Sequence, residues 1–139
     1  MIKEFKGEYR FLSNFWPVKI VHNNIEFLSV ESAYQSSKSL EQKDWLLCSK
    51  LTPGLAKKFG KNLNLREDWE LIKDNIMLDL LRKKFTNTYL KDLLLNTGDY
   101  KLEEGNYWGD TYWGICNGVG KNRLGVLLMQ VREEIKNEL

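Results

Sequence analysis

The segment from Glu67 to about Phe85 constrains the fold most strongly. Trp69, Ile72, Ile76, Met77, Leu80 and Phe85 recur there at helical spacing, which aligns them along one stripe of a rod about 28 Å long. Glu67, Asp68 and Glu70 complement the positive end of the helix dipole. A chain of 139 residues fits one domain around that rod, residues 1–139, and needs no covalent staple. Its 42% hydrophobic and 29% charged residues exclude a disordered or fibrous chain.

Shorter elements flank the rod. VKIV and IEFL alternate apolar and polar residues around His22-Asn23-Asn24, the pattern of a β-hairpin. Ser29 then caps a helix that carries Glu31 in its first turn and runs through AYQSSKSL. A further helix is expected across QKDWLLCSK, and Pro53 opens another through LAKKF that Gly60 stops. TYLKDLLLN ends at Thr97-Gly98, and LGVLLMQVREEIKNEL forms the last helix. Tyr100 to Arg123 reads as a long irregular stretch, and long ordered loops often carry function.

Several chemistries are excluded. The one histidine, His22, falls in the expected turn as a solvated side chain, so histidine metal motifs and histidine triads are not available. Cys48 and Cys116 form neither a disulfide framework nor a zinc site. No apolar run approaches the roughly 20 residues of a membrane span, and the N-terminus MIKEFKGEYRF lacks a secretory pattern. The expected compartment is therefore the cytoplasm, with no membrane partner. The net charge of +2 does not imply general nucleic-acid binding, although Lys57, Lys58 and Lys61 favour an anionic ligand.

Carboxylates, lysine and backbone groups are left to carry chemistry. NYWGDTYWG places Tyr107, Trp108, Tyr112 and Trp113 around Asp110. Such rings can stack on a base, and the aspartate can accept from ribose hydroxyls; core aromatics in a turn read equally well. In GVGKNRLG, backbone amides ahead of the last helix can hold an anion with Lys121 and Arg123, or the segment is a plain glycine-rich turn. It fails the Walker A pattern at Ile115 and Asn122, and the dinucleotide fingerprint at Arg123. On the helix after Ser29, Glu31, Tyr34, Gln35 and Lys38 share a face, with Glu31 and Lys38 about 10 Å apart. They can flank a sugar, or Glu31 simply complements the dipole.

Seven ordered segments together resemble the NADAR or YbiA-like family: FLSNFWP, SVESAYQSSK, TPGLAKKFG, LREDWELIKDNIM, the KF before a helix ending in TG, WGDTYWG, and GKNRLGVLLMQVR. The resemblance runs from about Arg10 to Arg132. It implies a compact α+β, mainly α-helical domain with an N-terminal β-hairpin, and an N-glycosidase working without metal or redox cofactor. Two substrate branches are implied: phosphorylated ribosylaminopyrimidines of riboflavin biosynthesis, and ADP-ribosylated guanine in nucleic acid. By matching motif, the catalytic candidates are Glu31, Lys38, Asp110 and Trp113, with Lys38 either binding substrate or forming a Schiff base with an opened ribose. Substrate-binding candidates are Asn14, Phe15 and Trp16 in the first motif, with Arg10, Tyr34 and Lys57, and Trp108, Lys121, Asn122 and Arg123 further on. Ser32 departs from the histidine common in relatives, and its hydroxyl can still position water or phosphate. A nucleotide-binding module that no longer cuts is the alternative reading.

Overall fold

The computed structural model describes residues 1–139, and the chain is mainly helical with two small sheets. Packing divides it into two units, Asn14–Lys84 on one side and Met1–Ser13 with Phe85–Leu139 on the other. No helix is long and apolar enough to cross a membrane.

In the unit Asn14–Lys84, β1 (Ile20–His22) and β2 (Ile25–Phe27) form the expected antiparallel hairpin. Asn23 and Asn24 both take positive φ, 52° and 61°, as the tight turn matching strand twist requires. His22 is not a solvated turn residue. It closes β1, half-buried, with Nε2 2.9 Å from the Ser37 hydroxyl. That hydroxyl gives its own proton to the Ala33 carbonyl, so His22 Nε2 is the donor. Burial, together with Lys83 and against Asp79, lowers the His22 pKa and favours the neutral ring.

Helix α1 (Val30–Ser36) is the hub of this unit, packing against α2 (Gln42–Cys48), α3 (Pro53–Lys61), α4 (Trp69–Lys84) and the hairpin. The Ser29 hydroxyl caps α1 by accepting from the Ser32 N–H at 3.1 Å. Every residue of α1 is buried, and serines stand at its end, Ser36 as the last residue and Ser37 as the cap. The helix stops at Ser36, two residues short of Lys38, because Ser36 and Ser37 turn their hydroxyls back to the Ala33 carbonyl and compete with the backbone. Gly60 does not stop α3. It lies inside the helix, buried, where α3 meets α1.

Helix α4 begins at Trp69 rather than Glu67 and spans 16 residues, about 24 Å. Its buried residues are Trp69, Met77, Leu80, Leu81 and Lys84, whereas Ile72 and Ile76 are only half-buried. Phe85 is buried just beyond the helix end. The buried Lys84 has no counterpart in the apolar periodicity.

The other unit packs α5 (Thr88–Leu95) against α6 (Arg123–Asn137) around Leu90, Leu94, Leu127, Leu128 and Val131. Asn87 caps α5, and Gly98 takes φ +60° just past its end. The Arg132 guanidinium fastens that turn to α6, donating to Thr97 Oγ1 and the Tyr100 carbonyl, both at 2.9 Å. The stretch Tyr100–Arg123 is less irregular than its composition indicates. It holds β3 (Gly105–Asn106) and β4 (Ile115–Cys116), paired in parallel, and Leu102 bridges to Ile2.

Candidate active site

Glu31 sits in the first turn of α1 with only 7% of its surface exposed. Its N–H donates to the Asn14 carbonyl at 3.0 Å, and its Oε1 accepts from Gln35 Nε2 at 3.0 Å. Lys38 lies in the turn after α1 rather than on the helix, half-buried, and its carbonyl accepts from the Arg66 N–H. Burial lowers the Lys38 pKa, the Glu31 carboxylate pulls it back up, and Lys61 and Lys57 on α3 add to the lowering. A buried carboxylate and an amine of reduced basicity thus share one electrostatic environment. The first can stabilise a cationic sugar and the second can act as a nucleophile.

An aromatic ring stands beside Lys38. Lys38 Nζ lies 5.9 Å from the centre of the Tyr34 ring, and Tyr34 in turn packs at 5.2 Å on Trp69. Trp69 reads from sequence as core alone; only folding shows that it backs the ring beside Lys38. Lys57 is half-buried, Phe15 is exposed and Trp16 half-buried. Asn14 is buried, its amide nitrogen meeting Met77 Sδ at 3.5 Å and its Oδ1 without a hydrogen-bond partner. Ser32 is fully buried and turned away from any water-positioning role: its hydroxyl donates to the Ser29 carbonyl and receives the Ser29 hydroxyl proton.

The remaining candidates lie in the unit containing α5 and α6. Asp110 organises its own loop, with Oδ1 accepting from the N–H groups of Tyr112 (3.1 Å) and Trp113 (2.9 Å). Asn106 clamps the Asp110 backbone from both sides, accepting from its N–H at 3.1 Å and donating to its carbonyl at 2.9 Å. Trp113 is half-buried and meets Tyr112 edge-on at 4.9 Å, with Lys121 Nζ 5.5 Å from the Tyr112 ring centre. Trp108 and Tyr107 are exposed and pack edge to face. Arg10 is exposed on a short 3-10 helix, Gly7–Leu12.

The helix-terminus anion cradle expected at GVGKNRLG is not formed. The N–H groups of Lys121, Asn122, Arg123 and Leu124 donate to the carbonyls of Thr111, Gly114, Tyr112 and Trp113. The WGDTYWG loop therefore caps α6 with its own backbone and leaves those amides spent. Asn122 is likewise committed within the loop. In the left-handed conformation, its buried side chain accepts from the Glu104 N–H at 2.9 Å and donates to the Leu102 carbonyl at 2.8 Å. Lys121 stays exposed and Arg123 half-buried.

Known proteins are similar to this chain over nearly its whole length. The NADAR domain model matches residues 2–136, which takes in both units. An N-glycosidase of Nostoc punctiforme is 40% identical, the match covering 94% of this chain and 88% of that protein. N-glycosidase YbiA of Escherichia coli K12 is 36% identical over 94% of this chain and 84% of its own length. A riboflavin biosynthesis protein of Vibrio vulnificus is 34% identical over 91% of this chain, which corresponds to 35% of that longer protein. Among solved structures, the NMR structure of E. coli YbiA superposes with a TM-score of 0.86 at 34% identity, covering 99% of this chain and 86% of the other. The chain belongs to the NADAR family of YbiA-like N-glycosidases.

Proposed function

We propose that this protein hydrolyses the N-glycosidic bond of a phosphorylated ribosylaminopyrimidine of riboflavin biosynthesis. The observation that carries the reading is the buried Glu31 carboxylate set in the same environment as the low-basicity Lys38. Breaking a ribose–nitrogen bond leaves positive charge on C1 and the ring oxygen of the sugar. A fixed carboxylate in a poorly hydrated site stabilises that charge in the transition state far better than water does. Water then adds to C1, its proton passes to the departing base, and free ribose phosphate and aminopyrimidine result. Lys38 binds the sugar or its phosphate, or adds to C1 of the opened ribose as an imine that water later cleaves. Lys57, beside it on α3, adds positive charge for the phosphate.

The kinship with a riboflavin biosynthesis protein supports this substrate. Removal of ADP-ribose from guanine in nucleic acid is the second reading, and the exposed rings of Tyr107 and Trp108 favour it. Exposed rings offer stacking surfaces that every base can use. Asp110 and Trp113 join the proposal as loop residues whose substitution should impair turnover.

The two substrates are separated by incubating the protein with each and following released base by mass spectrometry. Release from the aminopyrimidine alone supports the first reading, and release from modified DNA alone supports the second. Calorimetric binding with no release from either would make the protein a non-cutting nucleotide reader.

A further inference from the structure

Gln35 lies one helical turn beyond Glu31 on α1 and is buried to 4% exposure. Its Nε2 donates to Glu31 Oε1 at 3.0 Å. Only the nitrogen end of an amide can donate to a carboxylate, so this contact sets which way round the side chain sits. Gln35 Oε1 is thereby turned to α3, where it is buried with no hydrogen-bond partner. A side chain selected for packing alone would not carry such an acceptor, because leaving it unmatched is unfavourable.

The place it occupies exists because residue 60 is glycine. A Cβ there would stand 1.8 Å from Gln35 Oε1, 2.7 Å from Cδ and 3.2 Å from Cβ. Gly60 does not have positive φ, so no turn demands glycine, and glycine inside a helix is otherwise unfavourable. Close approach of α3 to the Gln35 side chain is what remains to account for it.

We propose that Gln35, seated against the α3 backbone at Gly60, is a positioning residue that holds the Glu31 carboxylate in the orientation used for turnover. The proposal rests on the reading of Glu31 as the working carboxylate. Without the amide, Glu31 is free to change rotamer, and the carboxylate no longer points where sugar charge develops. Gly60→Ala is a gentle way to break the arrangement. The nearest atoms it displaces are the far end of a flexible side chain, so the fold can keep its packing while the amide leaves Glu31.

The test is a double-mutant cycle on kcat and KM with Gln35→Met, Gly60→Ala and both together, beside Glu31→Gln, on the substrate that the wild type hydrolyses. Each single change is expected to lower kcat about tenfold, the worth of one hydrogen bond to a charged group, with KM little changed. The double variant is expected to be no slower than Gln35→Met, since Gly60 acts through Gln35. A kcat within twofold of wild type for Gln35→Met, when Glu31→Gln has lost turnover, overturns the positioning role and leaves Glu31 standing. Effects that multiply to about a hundredfold would separate Gly60 from Gln35. Full turnover by Glu31→Gln would instead remove the carboxylate reading, and this inference with it. NMR of the Gln35 side-chain amide checks the clamp without substrate: one proton shifted downfield and protected in the wild type and released in Gly60→Ala is expected, and identical spectra would overturn the link.

Discussion

Lys84→Met should uncouple the stability of this protein from alkaline pH. Lys84 ends α4 with its side chain wholly buried, and burial brings its pKa down from 10.5 to about 7. The last turn of a helix favours a cation by about 0.3–1 kcal/mol. A displacement from 10.5 to about 7 corresponds to about 5 kcal/mol against the cation, so burial wins. Because the folded-state value is the depressed one, the folded chain carries the neutral amine above about pH 7 while the unfolded chain stays protonated to about 10.5. Unfolding takes up a proton throughout that window, and stability rises by about 1.4 kcal/mol per pH unit. The stability is complete above the unfolded value and is lost as pH falls through the folded one. Methionine fills a similar volume without the titration. In urea unfolding followed by tryptophan fluorescence, the stability of the wild type relative to the variant should rise by about 2 kcal/mol between pH 8 and pH 9.5. Parallel stability curves for the two proteins across that range would show that Lys84 does not change protonation on unfolding.

Other outcomes follow from the loop and the site. Gly125→Ala should cost about 3 kcal/mol in unfolding free energy, since its Cβ would stand 2.1 Å from the Leu102 carbonyl oxygen, a backbone atom that cannot swing aside; a loss of a few tenths would contradict that. Asn122→Ala should lower stability by about 2 kcal/mol through loss of the Glu104 and Leu102 contacts, measured by thermal unfolding, and an unchanged midpoint would remove its anchoring role. Borohydride added during turnover should trap a sugar adduct on Lys38 that Lys38→Ala lacks, with the variant at least about tenfold slower. No adduct and an unchanged rate would reduce Lys38 to a bystander.

Local signals that carry their own mechanism were legible in the sequence. Asn23-Asn24 specified the hairpin because both residues tolerate left-handed φ, and Ser29 declared the start of α1 through its hydroxyl. Signals that depend on a distant partner were not. Gly60 reads as a helix stop, since nothing local reveals that the Gln35 side chain occupies the place of its missing Cβ. Lys38 reads as helical because the serines preceding it give no sign that their hydroxyls draw the chain out of α1. The anion cradle before α6 was plausible until folding brought the carbonyls of Thr111 to Gly114 onto the same amides. Lys84 in the core breaks the rule that lysine faces water, so periodicity passed over it. In the candidate site, helical spacing puts Glu31, Gln35 and Lys38 on one face and motif resemblance singles out Glu31 and Lys38, while the Gln35 contact to Glu31 and the packing of Trp69 on Tyr34 come only from the fold.

Whether the Glu31 carboxylate drives N-glycosidic cleavage is decided by single-turnover release of free base from wild type and Glu31→Gln. Glutamine keeps the shape and the contact with Gln35 but removes the charge, so release should slow by about a hundredfold or more while the fold and substrate affinity persist. Release by Glu31→Gln within a few-fold of wild type would mean that this carboxylate does not stabilise the charge on the sugar.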